Sequence, residues 1–89
     1  MTEQPLDDIL DNMGKYLRNN LDRPLPESMS AETRLVAELH LDSLEGLQLL
    51  ADLEDHYRIV LGVNVLRGAQ TLGDVANVVL AAINAGKRE

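Results

Sequence analysis

The stretch Leu39–Ile59, L-H-L-D-S-L-E-G-L-Q-L-L-A-D-L-E-D-H-Y-R-I, decides how this chain folds. Residues 43–57 within it read as a helix. Leu44, Leu47, Leu50, Leu53 and Tyr57 recur at three- and four-residue steps and predict one apolar face. Glu45, Gln48, Asp52, Glu54 and Asp55 are left for the other faces. Asp42 and Ser43 are both N-cap residue types, because a short side-chain oxygen can accept from the N–H groups that open a helix. An acid in the first turn, Glu45, suits the positive end of the helix dipole.

Upstream, residues 22–42 read as a long connection, broken by Pro24 and Pro26 and kept polar by Ser28 and Ser30. Leu35, Val36, Leu39 and Leu41 are expected to pin it to the core, with a helical turn within 31–39. Residues 5–21 predict a first helix with Pro5 in its first turn and a stripe of Leu6, Ile9, Leu10, Met13, Leu17 and Leu21. Gly14 weakens that helix by about 1 kcal/mol against Ala and is expected to allow close packing. Downstream, residues 58–70 form a connector. Gly62 and Gly68 bracket the apolar patch Val63, Val65 and Leu66, a short helix is expected around 64–69, and Ile59–Leu61 equally fits a short extended piece. Residues 71–85 predict a last helix. Thr71 and Asp74 form a capping box, Leu72, Val75, Val78, Val79, Ala82 and Ile83 form the buried face, and Gly86 with Lys87 and Arg88 forms the stop. The expected fold is all-α: one small antiparallel bundle of three main helices plus one short helix, filling residues 1–89 as one domain.

Composition narrows the function. The apolar residues are 45% of 89, and the only rings among them are Tyr16 and Tyr57, with no Phe or Trp. Such an aliphatic interior is deformable. Fifteen acids against eight bases give a formal charge of −7, which repels nucleic-acid phosphates and anionic membranes and attracts basic protein surfaces. The absence of Cys excludes disulfides, thiolate catalysis and Cys-based zinc sites. His40 and His56 lack metal-ligand spacing, so no metal site is expected. No apolar run reaches the roughly 20 residues of a membrane span, and the acidic N-terminus is not a signal peptide. The chain reads as a cytoplasmic protein and a monomer.

Enzymatic chemistry finds no place. His40, Asp42 and Ser43 have the residue types of a nucleophile system, but H-L-D-S lacks the strand–nucleophile–helix setting of a hydrolase, and a small bundle offers no oxyanion hole. No catalytic residue is assigned. Ser43 has two readings. By position it is a helix cap. Equally, a phosphate attached to it would meet unpaired N–H groups at the positive helix end, although Asp42 and Glu45 oppose that anion.

The segment 39–59 resembles the core of the acyl carrier proteins. In that family an Asp-Ser-Leu triplet opens the second helix, here Asp42-Ser43-Leu44, and L-E-D-H-Y-R-I is similar to the family's L-E-x-x-F-x-I. The stretch T-L-G-D-V-A at 71–76 looks like the start of the family's last helix. The resemblance implies that Ser43 carries 4′-phosphopantetheine, donated by coenzyme A through a phosphopantetheinyl transferase. It implies a shuttling role, in which acyl-loading, condensing or modifying enzymes dock with basic patches. Asp42, Leu44, Glu45, Leu47, Ala51, Glu54 and Asp55 occupy the positions such partners read. The missing Cys then has a reason, since the working thiol belongs to the arm.

There are departures. Many members have Gly two residues before the Asp, where this chain has His40. Gln48 stands where an acid is frequent. The connector 60–70 is apolar, carrying Arg67 and no acid, which implies a specialised partner set. The cargo remains open between fatty-acid, polyketide and aryl groups and the aminoacyl or peptidyl groups of a nonribosomal pathway. A different class of reading, a small unmodified helical adaptor with Ser43 as a cap, stands beside them.

Overall fold

A computed structural model describes residues 5–62 and 64–86, and there the chain forms four helices: α1 (Pro5–Asn20), α2 (Ser43–Tyr57), α3 (Asn64–Gly68) and α4 (Leu72–Gly86). The expected stop beyond Gly86, at Lys87 and Arg88, lies outside the described residues. The architecture is the all-α bundle expected from the hydrophobic spacing. α1 packs chiefly on α4 and also meets α2, and α3 lies against α4.

The stripe of α1 supplies Ile9, Met13 and Leu17, all essentially inaccessible, with Leu6, Leu10 and Leu21 half-buried at its borders. Burying such side chains fully is worth about 1.5–3 kcal/mol each. The helix ends where the Asn20 side-chain amide donates to the Tyr16 carbonyl at 2.8 Å and Pro24 forbids continuation. Gly14 is not a packing requirement: a Cβ there would sit an ordinary 3.7 Å from Met29 Cε.

In α2 the buried residues are Gly46, Leu49, Leu50 and Leu53. This corrects the expected face. Leu50 and Leu53 point inward and Tyr57 is half-buried, but Leu44 is 62% exposed and Leu47 40%. The leucines at 44, 47, 49, 50 and 53 make two overlapping stripes, and the core takes the one running through Gly46 and Leu49. α2 ends on Arg58 in the left-handed conformation (φ 57°), whose N–H donates to the Glu54 carbonyl. In α4 the buried residues are Leu72, Val75, Ala76 and Val79, whereas Val78 faces solvent and Ala82 and Ile83 are half-buried. Its capping box is formed: the Thr71 hydroxyl accepts from Asp74 N–H at 3.1 Å, and Asp74 Oδ2 accepts from Thr71 N–H at 3.1 Å and Gln70 N–H at 2.8 Å.

The long connection between α1 and α2 is held by backbone bonds to the start of α4. Leu35 N–H donates to Gln70 O at 2.9 Å, Leu72 N–H to Thr33 O at 3.0 Å and Gly73 N–H to Ala31 O at 2.8 Å. Gly73 is required by this contact, because a Cβ would lie 2.8 Å from the Ala31 oxygen. Leu35, Leu39 and Leu41 are buried as expected, but Val36 is 69% exposed. The turn expected in 31–39 runs through 35–39, closed by Glu38 and Leu39 N–H groups donating to Arg34 O and by His40 N–H donating to Val36 O. Ile59–Leu61 takes no strand; Leu61 is buried and Val60 exposed.

Candidate functional site at the start of α2

Two cap-type residues precede Leu44, and the structure separates their roles. Asp42 is the N-cap, in extended backbone (φ −96°, ψ 179°). Its Oδ1 accepts from Glu45 N–H at 2.7 Å, and Glu45 Oε1 accepts from Asp42 N–H at 3.2 Å, which completes a capping box. Ser43 is therefore the first helical residue and not the cap. It is exposed, and its hydroxyl makes no hydrogen bond among the described residues. The Ser43 and Leu44 N–H groups, which a helix cannot pair internally at its start, are likewise unbonded within the described chain. A nucleophilic hydroxyl thus stands at the positive end of a helix whose cap is already supplied by its neighbour.

The turn before the serine is held by a residue that the local pattern gave no reason to single out. Arg23 Nη1 donates to Glu45 Oε2 and Nη2 to Oε1, each at 2.9 Å, and Nη2 also donates to the carbonyls of Leu39 at 3.0 Å and His40 at 3.1 Å. The bidentate fork is the strongest geometry an Arg–carboxylate pair adopts. The Arg23 bond, helped by the Asp42 N–H, lowers the Glu45 carboxyl from 4.5 to about 2. Asp74 is lowered in the same direction by the N–H groups of Gln70 and Thr71. His40 has φ 57°, a conformation that glycine adopts without strain. The departure from glycine at this position is thus a tolerated strain in the turn leading to Ser43.

A cavity of about 160 Å³ opens beside Ser43 between Leu35, Leu41, Gly46, Leu66 and Ala69. Gly46 allows the close approach of α3: a Cβ there would sit 3.0 Å from Leu66 Cδ1. The remaining expected recognition residues distribute unevenly. Leu44, Leu47 and Ala51 lie on the exposed side of α2 with Asp55. Glu45 and Glu54 are half-buried, and Glu54 Oε2 accepts from Leu61 N–H at 2.7 Å. No group of metal-ligating side chains occurs among the described residues.

The family model for the phosphopantetheine attachment site matches residues 15–79, a span that contains α2, α3 and the turn at Ser43. The chain belongs to that family, the acyl-carrier type of protein that bears a covalent 4′-phosphopantetheine. No curated protein matches it. The local structure fits the group: an exposed hydroxyl free of internal bonds, two unbonded N–H groups on the same helix end, and an apolar cavity alongside. No helix among the described residues is long and apolar enough to cross a membrane.

Proposed function

We propose that Ser43 is the attachment residue, and that the chain holds acyl intermediates as thioesters and presents them to partner enzymes of fatty-acid, polyketide or related biosynthesis in the cytoplasm. The observation that carries this reading is the freedom of the Ser43 hydroxyl. A serine that only capped α2 would accept from Glu45 or Gly46 N–H, and here Asp42 does that instead. The attached arm supplies the thiol that the chain lacks. The protein's own residues present it. Arg23 and Asp42 fix the turn, the Ser43 and Leu44 N–H groups favour a negative phosphodiester, and Leu44, Leu47, Ala51 and Asp55 form the surface a partner meets.

The cavity bears on the cargo. Its volume is about 160 Å³, and Leu35, Leu41, Leu66 and Ala69 line it beside Asp42 and Ser43. Half open to solvent, it offers apolar groups beside Ser43 against which the start of a thioester-linked acyl chain can lie. The decisive experiment is incubation of the purified protein with coenzyme A, Mg²⁺ and a promiscuous phosphopantetheinyl transferase, read by intact mass. A pantetheinyl-sized gain that disappears in Ser43→Ala is expected. A gain that persists in Ser43→Ala places the arm elsewhere, and no gain with several transferases sinks the proposal.

A further inference from the structure

By sequence, Glu45 is a free acid two residues beyond Ser43, placed to meet a basic partner. In the fold it is occupied. Oε1 accepts from both Arg23 Nη2 and Asp42 N–H, and Oε2 accepts from Arg23 Nη1. Only about a quarter of its side chain reaches solvent (23%), and Arg23 is similarly sheltered (31%). Arg23 is itself anchored, because the same guanidinium donates to Leu39 O and His40 O. This arrangement leaves Arg23 Nε buried with no partner, so the guanidinium is set by its outer nitrogens. Arg23 reaches Glu45 on α2 from a position 22 residues earlier in the chain. A cation from a partner that sought Glu45 would have to displace a bidentate pair and strand two carbonyls.

We infer that Arg23 is a specificity-determining residue for recognition at Ser43: by closing on Glu45 it withholds that carboxylate from basic partners and leaves the exposed aliphatic side chains beside the serine to be read instead. Those side chains are Leu44, Leu47 and Val36, each well exposed around the site. The inference rests on Ser43 being the attachment residue. It predicts the opposite of a merely structural role. Loosening a structural prop raises the KM of a partner enzyme, whereas unmasking an acid lowers it.

The test is steady-state loading by a phosphopantetheinyl transferase, followed by intact mass, on the parent, Arg23→Gln and Arg23→Gln/Glu45→Gln. In Arg23→Gln the KM for the carrier is expected to fall about two- to five-fold at low salt, the range of one exposed ion pair. Most of that gain should vanish near 0.15 M salt, where the Debye length is about 8 Å. The double variant, with the same net charge as the parent and no carboxylate at position 45, should return to the parent KM. An Arg23→Gln KM equal to or above the parent's, with the helices intact by circular dichroism, overturns the inference. Should that variant not fold, the parent decides it by NMR. On titration with the transferase, Leu44 and Leu47 methyl signals should shift while the Glu45 carboxyl carbon stays put, and a moving Glu45 carboxyl overturns the masking. A parent that gains no mass removes the attachment reading and this inference with it, whereas a loaded parent with an unresponsive Arg23→Gln removes this inference alone.

Discussion

Replacing Asp42 and Ser43 separately by alanine dissects a structural role from a chemical one at adjacent positions. Asp42→Ala removes the oxygen that accepts from Glu45 N–H at 2.7 Å and leaves an orphan donor in the first turn of α2. Loss of an N-cap of this type costs about 1 kcal/mol, within a range of about 0.5–2. In a chain of 89 residues that amounts to a fall in Tm of about 4–8 °C per kcal/mol. Ser43→Ala removes a hydroxyl that bonds to nothing in the described chain, and alanine is the better helix former by a few tenths of a kcal/mol. Its Tm should match or slightly exceed the parent's. Thermal and urea melts followed by circular dichroism give both values, and intact mass after transferase treatment gives the chemistry. Asp42→Ala is expected to melt early yet still load, and Ser43→Ala to melt normally and not load. A Ser43→Ala melt depressed as far as that of Asp42→Ala would make the serine the cap and refute the separation of roles.

Acid stability follows from Glu45 and Asp74. Their carboxyls are depressed on folding, so their contributions are complete above the unfolded values and fade as pH falls, for Glu45 between 4.5 and about 2. Tm should therefore drop across that window, and Arg23→Gln should flatten the part due to Glu45; an unchanged slope would deny the ion pair its role. His40→Gly relieves a left-handed φ of 57° and is expected to raise stability by up to about 1 kcal/mol, net of glycine's freedom in the unfolded chain. A destabilised variant would show that the His40 side chain contributes something the backbone angle does not reveal. Gly46→Ala gains about 1 kcal/mol of helix propensity and pushes the flexible end of Leu66 into the adjacent cavity. Its Tm should rise, and an unchanged or lower Tm would show that Leu66 cannot yield to the added Cβ.

The helices were legible because their signals are local. Pro5, Pro24, the Thr71–Asp74 box and the three- and four-residue spacing of leucines mark ends and faces without knowledge of distant neighbours. What escaped reading depends on chain far away. The closely spaced leucines of α2 satisfy helical periodicity with either of two stripes, and only packing against the rest of the core decides which one turns inward. Val36 and Val78 were expected inside on hydrophobicity alone, and both face solvent. Ser43 and Asp42 were equally good caps by residue type, and the reciprocal bond with Glu45 chose Asp42. Arg23 carries no local signal at all, since its partners lie 16 to 22 residues away. The family's usual glycine at position 40 was the one sequence hint that this turn bends in the left-handed sense.

The three backbone bonds that fasten residues 31–35 to residues 70–73 set an order of events. The connection that leads to the Ser43 turn is tied down by chain that leaves the ribosome only after the serine has emerged. A nascent or clipped polypeptide lacking α4 still holds Arg23, Asp42 and Glu45, the residues that shape the turn, but lacks the bonds that anchor residues 31–35. Closure of the connection thus waits on the last helix, whereas the bonds that shape the turn itself do not.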